Sequence, residues 1–576
     1  MTGNYILKDT PSGRKTLIFH KDREIRIHSA YDPERESERS ADNFTPGRAS
    51  VIIVCGLGLG YHVAALKSRF SSMEIIVLEH DPEVAVIASE ANPGMISGIR
   101  IVHSPADLPG IFEKLNMENF RGAATYVHRP SYMLYREFYD SIAADIRQYI
   151  SSKISDLLTR FEFEEKWVLN ILENLKHLES SCPVRNLFGR FRGYPGIIVS
   201  AGPSLRYNVD ILKEVRDRAL ILSVDTAVRV LNKRKVRPHI VMTLDAQNYS
   251  MKHFLGMPQQ GQYLLADLVS YHGILRDYRG RKILSTTSKY FTEADGSLQR
   301  ETTPLVDWIE KYYPGTGDIQ SGGSVATSAF DMLLNLGCDP IILVGQDLAY
   351  TGREIHCSGT YHNDEWLPGT SRLRNLDSIN QGVVRKRKIK HVQAYGGEGT
   401  VVSDFVFDLY RGWFEDSAQR VAATVINATG GGARIANTKE QSLEDLSLSM
   451  KMRKATPDQI LEKAFTSSGS PDTGKLRQAL DSAISSLARI RKEVKKQERG
   501  KGDIEGLEEL LDEDIEKILN PSLRKTRTYI ARNQVPPEKS REMMIAGIEE
   551  AAERLIPALT RSLDTLEKGS KTPLQR

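Results

Sequence analysis

Four apolar runs, each closing in small or polar residues, constrain the middle of this chain most. Gly196-Ile197-Ile198-Val199 ends in Ser200-Ala201-Gly202-Pro203-Ser204-Leu205, and Ala219 to Val224 ends in Asp225-Thr226. His239 to Leu244 ends in Asp245-Ala246-Gln247, and Pro340 to Val344 ends in Gly345-Gln346-Asp347-Leu348. Helical spacing separates them, as a parallel α/β sheet requires. Ligands of open parallel sheets sit beyond the carboxyl ends of the strands, so the pattern predicts one cleft lined by these tips.

Two corners offer anion chemistry. At the first, Gly202 lets backbone approach a ligand, Pro203 suits a first helical turn, and Ser204 brings a hydroxyl to a helix N-terminus. The second, Ser321-Gly322-Gly323-Ser324, opens onto the helical spacing of Val325, Ala329, Met332 and Leu333. A ligand with two separated acidic groups, such as a nucleotide-linked sugar acid, matches both.

After the fourth tip runs a polar, aperiodic segment containing Arg353-Glu354-Ile355-His356-Cys357 and Thr360-Tyr361-His362. It reads as a loop over the cleft. A histidine titrates near the pH at which a hydroxyl proton is removed, so His356 and His362 are candidate bases. Asp347 is either a base itself or the residue that orients one.

The flanks differ. Tyr5 to His28 alternates polar and apolar residues as a small β-meander, and Ala30 to Arg48 reads as a polar surface excursion. Val51 to Cys55 runs into Gly56-Leu57-Gly58-Leu59-Gly60, and Glu74 to Leu78 ends in Glu79. A glycine-rich turn with an acid after the next strand is how Rossmann-type domains hold a dinucleotide or S-adenosylmethionine, but the spacing falls short of G-x-G-x-x-G. The favoured reading is a Rossmann-like domain kept for packing or for a partner, with a methyltransferase as the alternative. Ser131 to Leu178 has helical spacing, and so does Pro457 to Arg576, with breaks at Gly500-Lys501-Gly502, Asn520-Pro521 and Val535-Pro536-Pro537.

With 576 residues, several domains are expected. These are residues 1–185 (meander, Rossmann-like domain and helical bridge), 186–440 (central α/β domain) and 441–576 (helical domain). A net charge of +4 gives no argument for nucleic acid. Four scattered cysteines have no metal-ligand spacing, and no run approaches the ~20 apolar residues of a membrane span. A cytoplasmic protein is expected.

Ser200 to Leu205, Ser223-Val224-Asp225-Thr226-Ala227, Ser321 to Ala326, Gly345 to Tyr350 and Asn427-Ala428-Thr429-Gly430-Gly431-Gly432-Ala433-Arg434-Ile435 together resemble the signature segments of the motility associated factor (Maf) family of flagellin glycosyltransferases. The resemblance implies a central domain similar to glycosyltransferase family 42 sialyltransferases. It implies a CMP-activated nonulosonic acid as donor (pseudaminic, legionaminic or sialic) and a Ser or Thr hydroxyl of flagellin as acceptor. On this chain, Gly202, Pro203, Ser204, Asp225, Thr226, Asp245, Gln247, Gly345 and Gln346 would meet the nucleotide side. Ser321, Gly322, Gly323 and Ser324 would hold the phosphate or sugar carboxylate, and Asp347, His356 and His362 would approach the reacting centre. The only D-x-D, Asp512-Glu513-Asp514, lies among the C-terminal helices, so inverting transfer without a metal or other cofactor is expected. A related Gly-Pro-Ser-Leu turn occurs in hydroxymethylpterin pyrophosphokinases, the second enzyme reading; a flagellin-binding scaffold is the third. Oligomeric state is left open.

Overall fold

A computed structural model describes residues 4–20, 24–112, 115–257, 261–292, 297–467, 472–498 and 511–569. The predicted Gly500 to Gly502 break lies outside them. The chain divides into two compact units: Met1–Glu162, Thr292–Ser297 and Leu523–Gly547 form one, and Phe163–Phe291, Leu298–Ser522 and Ile548–Arg576 the other. Long helices such as Arg136–Asn174 and Pro537–Gly569 contribute to both.

In the first unit, Tyr5–Asp9, Lys15–His20 and Glu24–Arg26 pair antiparallel as the expected meander. A parallel sheet follows in the order Arg100–Val102, Glu74–Leu78, Val51–Cys55, Ala123–Val127. Leu17 and Ile27 of the meander share a core with Ile52, Val54 and Val77 of the sheet. The polar stretch expected to be a surface excursion instead folds as helix Pro33–Asp42. The Asp32 side chain accepts from the Arg35 amide, Pro33 occupies the first turn, and Ser37 and Ala41 are buried. Local capping and one narrow buried stripe suffice for a helix that looks uniformly polar in sequence.

The second unit is built on an 11-stranded sheet. Its spatial order is Leu298–Glu301, Arg281–Thr292, Tyr263–Asp267, Ile240–Thr243, Leu220–Val224, Gly196–Val199, Ile341–Val344, Val425–Asn427, Lys439–Glu440, with Asp318–Gln320 and Cys182–Pro183 also pairing to Arg281–Thr292. The central pairings are parallel and in close register, with Ile197 beside Ile221 on one side and Ile342 on the other. All four predicted strands are present, and their apolar residues are buried apart from the half-buried Leu244 at the third tip, as a sheet covered on both faces demands. From Gly196–Val199 the chain winds outward in one direction, then returns to place Ile341–Val344 on the opposite flank. That reversal between neighbouring parallel strands is the position at which α/β sheets open a crevice.

The C-terminal region is helical as predicted: Pro457–Thr466, Gly474–Glu498, Glu513–Asn533 and Pro537–Gly569. Asn520-Pro521 does not end a helix; Pro521 sits buried within Glu513–Asn533, where its burial offsets a lost backbone bond. The break at Pro536-Pro537 is present. Among the described residues, no helix is long and apolar enough to cross a membrane.

Candidate functional site

The crevice at the sheet reversal is filled by the protein itself. Ser200 Oγ donates to Gln346 Oε1 (2.5 Å), and the Gly202 amide donates to the Gly345 carbonyl (2.8 Å). Ser204 is fully buried; its Oγ donates to Asp347 Oδ1 at 2.6 Å, and its amide reaches both Asp347 oxygens at 3.2 Å. A Cβ on Gly202 would lie 2.1 Å from Asp347 Oδ1, and one on Gly345 (φ +66°) 2.3 Å from the Ser200 carbonyl. Gly432 (φ +80°) closes the far side, 2.3 Å from the Asp347 carbonyl by the same test. These glycines therefore bring backbone against backbone, not against a ligand. Burial pushes the Asp347 carboxyl above its ordinary range, although the Ser204 hydroxyl and amide pull it back.

This corrects the expectation for the first corner. The acid at this corner is the internal Asp347, held by the Ser204 amide and hydroxyl in the space that Gly202 leaves, and Gly345 and Gln346 complete the other half of the lock. Asp347 is not placed as a base.

The neighbouring tips are different. Asp225 begins helix Asp225–Lys233 and is buried. One of its oxygens accepts from the Thr226 amide (2.7 Å) and hydroxyl (3.1 Å), the other from Thr243 Oγ1 (2.8 Å). Burial raises it to about 6, with the nearby Asp245 adding to the rise. Asp245 is half-buried and accepts from the Gln247 amide (2.9 Å), while the Gln247 side chain is exposed.

Both predicted histidines come to these tips. The His356 and His362 rings stack at 4.8 Å, and His253 lies 5.5 Å from His362. Burial drives His356 down to about 3 and His253 to about 4, and lowers His362, on which Asp225 acts in the opposite sense. All three are neutral at physiological pH. The segment that carries His356 and His362 is fixed on both sides. The Cys357 amide donates to the Ala201 carbonyl (2.8 Å), and Asp364 takes Arg229 (3.0 Å) and Lys233 (2.8 Å) from the helix that Asp225 begins. His362 sits in the short helix Tyr361–Trp366, and its Nδ1 faces the Tyr249 hydroxyl at 3.0 Å; among the described residues its Nε2 has no partner.

His253 and Tyr249 escaped the sequence reading. They lie in the 3₁₀ turn Asn248–Phe254 directly after the third tip, and their signal is the aromatic and histidine content of Asn248-Tyr249-Ser250-Met251-Lys252-His253.

The second corner has its predicted form. Ser324 caps helix Val325–Leu336 in a reciprocal bond with Thr327, and Gly323 adopts φ +93°. Among the described residues, the Gly322 and Gly323 amides meet no protein acceptor. Trp413 and Tyr410 of helix Phe405–Arg420 lie against these glycines. The same helix is capped by Asp404, which also accepts from the Tyr350 hydroxyl (2.5 Å), so one helix joins the corner to the segment following Asp347.

Three other features lie away from these tips. Asp512 caps the Ile515 amide (2.8 Å), and Asp514 pairs with Lys311 (2.7 Å), so the D-x-D triplet anchors a helix start. A cavity of about 1400 Å³ opens at the opposite, amino-terminal edge of the sheet beside Tyr263 and Arg281, where Glu462 and Asp458 are engaged by Arg281 and Arg216. In the first unit, Glu79 turns inward to accept from the Leu57 amide (2.8 Å) of the glycine-rich turn, and Gly56 and Gly58 are covered by Ser131 and His28. Among the described residues, the cavity between Gly58 and Glu79 is about 10 Å³, room for at most one water and not for a dinucleotide or S-adenosylmethionine. His28, His62 and His128 gather nearby, yet His62 and His128 stack at 4.2 Å with planes 9° apart. Lone pairs lie in the ring plane, so two parallel rings do not converge on one ion, and the cluster is a packed stack.

A family described as "6-hydroxymethylpterin diphosphokinase MptE-like" matches residues 169–353. Two uncharacterized proteins of Treponema pallidum (strain Nichols) are each 22% identical, one over 62% of this chain and 61% of its own length, the other over 31% and 50%. The chain thus spans about three fifths and half of these relatives. A solved MAf glycosyltransferase from Magnetospirillum magneticum AMB-1 superposes with a TM-score of 0.61 at 14% identity, covering 99% of this chain and 94% of that one. The mixed α/β fold with its helical C-terminal region is the fold of that protein.

Proposed function

We propose that the chain is a glycosyltransferase that moves a nonulosonic acid from a CMP-linked donor to a Ser or Thr hydroxyl, with flagellin in the cytoplasm as acceptor. The observation that carries this reading is the neutral His362, with its open Nε2, beside Asp225 at the carboxyl edge of a parallel sheet. A neutral imidazole with a free lone pair takes a proton from an attacking hydroxyl. Burial keeps charge off His362 and His253 adds to the effect, while His356 stacks on its ring. The departing CMP leaves as a phosphate monoester, which the free amides of Gly322 and Gly323 at a helix N-terminus stabilise by donation alone. Asp245, Gln247 and Thr226 line the neighbouring tips and face the nucleoside in this reading. The shared fold and the Maf-like segments support the same assignment.

The test is release of CMP from CMP-pseudaminic or CMP-legionaminic acid in the presence of purified flagellin, with mass spectrometry of the acceptor. His362→Asn is expected to lower kcat by roughly 10²–10⁴-fold while CMP binding persists. Activity lost in EDTA and restored by Mg²⁺ would contradict transfer without a metal.

A second reading is pyrophosphoryl transfer from ATP to a hydroxymethylpterin, favoured by the matched family and by the approach of Asp225 and Asp245 from adjacent tips. It is weaker because both Asp225 oxygens already accept from protein donors. AMP formation from Mg²⁺–ATP and 6-hydroxymethylpterin would establish it.

A further inference from the structure

The hydrogen bonds around His362 specify more than its position. Tyr249 Oη lies 2.6 Å from Glu365 Oε2 and 3.0 Å from His362 Nδ1. Glu365 Oε1 is held by Lys252 Nζ at 2.9 Å, and the same ammonium sits 4.4 Å from the centre of the Tyr249 ring. Hydrogen bonds from Tyr249 and Lys252 hold the Glu365 carboxyl below its usual range, so it is a carboxylate and only accepts. Burial and that carboxylate keep the Tyr249 phenol protonated. A phenol has one proton, and it points at Glu365. Toward His362 the phenol oxygen then acts as acceptor, which places a proton on Nδ1 and leaves Nε2 as the lone pair.

We propose that Tyr249 and Glu365 are positioning residues that fix His362 in the tautomer protonated on Nδ1 and so aim the Nε2 lone pair at the acceptor hydroxyl. The aiming at an acceptor rests on the transferase reading; the tautomer does not. The relay comes from two distant segments, the turn after the third strand tip and the short helix over the cleft, so it forms only when the His362 segment is docked. Unconstrained neutral imidazoles favour the proton on Nε2, and without the relay His362 would present a donor where a base is needed.

The experiment uses the full chain with ¹⁵N-labelled histidine, and two-bond proton–nitrogen spectra assigned by subtraction of His362→Gln. In the unmodified protein, His362 Nε2 is expected in the pyridine-type region and Nδ1 in the pyrrole-type region. Tyr249→Phe is expected to move Nε2 into or toward the pyrrole-type region, and Glu365→Gln, at an exposed residue that tolerates exchange, to do so in part. A protonated Nε2 in the unmodified protein, or a tautomer unchanged in both variants, overturns the relay. With a CMP-nonulosonic acid donor, Tyr249→Phe should lower kcat roughly tenfold or more with little change in KM, within the range a positioned base contributes. A changed tautomer with unchanged kcat would uphold the relay and remove His362 as the base.

Discussion

If Asp347 is an internal lock, Ser204→Ala should loosen the sheet reversal. The substitution deletes the 2.6 Å hydroxyl donor to a buried carboxyl and leaves Ser204 with its 3.2 Å amide contacts alone. A hydrogen bond to a charged group contributes about 1.5–3 kcal/mol. At about 1.4 kcal/mol per decade, amide exchange across Ala201 to Arg206 should accelerate roughly 10- to 150-fold if those amides exchange by local opening. The penalty should also depend on pH. Burial raises Asp347, so the folded state keeps a proton that the unfolded chain has already lost, and stability falls as pH rises through that window. Ser204 counters this by stabilising the ionised form. Its loss therefore hurts least at low pH, where the carboxyl is protonated, and most above the folded value. Hydrogen exchange read by mass spectrometry at two pH values measures both effects. Unchanged exchange in Ser204→Ala, accompanied by loss of CMP binding, would refute the lock and return Ser204 to a ligand.

Three further outcomes follow from the same reasoning. Burial lifts Glu79 to about 7 from an ordinary 4.5, so the first unit should lose stability as pH rises between those values, and Glu79→Gln should flatten that slope in a pH series of thermal unfolding. His62, lowered by burial to about 4, acts oppositely: stability is lost as pH falls from about 6.5 to about 4, and His62→Gln, which keeps a donor for the Gly56 carbonyl, should reduce the acid-side slope by up to one proton. At the second corner a Cβ on Gly322 would lie 2.4 Å from Trp413 Cε2, so Gly322→Ala should cost about 1–3 kcal/mol by overpacking and lower Tm, and Trp413→Ala should restore part of the loss in the double variant.

The strands were legible because a doubly covered parallel sheet leaves an unmistakable record: continuous apolar runs such as Ile197-Ile198-Val199 and Ile341-Ile342-Leu343, each with a polar tip. The cap of helix Val325–Leu336 was legible for a similar reason, since Ser-Gly-Gly-Ser before a 3.6-residue period admits few other folds. The direction of an acid at a tip was not. Asp347 and Asp225 both end buried strands, and nothing local separates the one that locks the sheet from the one beside the histidines. What decides is a contact 143 residues away, where Gly202 and Ser204 leave room and donors for Asp347 Oδ1. His253 and Tyr249 were missed because a 3₁₀ turn carries no long period to mark which side chains face the cleft.

In the proposed reading, the division between those two acids puts the chemistry off the sheet reversal. A crevice binds ligand only while its donors lack a partner, and here Ser200, Gly202 and Ser204 have all found one in Gln346, Gly345 and Asp347. Rigidity gained there is transmitted outward, because the Cys357 amide hangs from Ala201 and Asp364 from Arg229 and Lys233. The His356–His362 segment is therefore held between a locked tip and the helix begun by Asp225, with Tyr249 and Glu365 setting its last degree of freedom, the imidazole tautomer. On this view Gly202→Ala should disturb the His362 tautomer in the same nitrogen spectra, because a Cβ 2.1 Å from Asp347 Oδ1 must displace the lock that carries Ala201. A tautomer unmoved by that substitution in a folded protein would show that the lock and the histidine segment are mechanically independent.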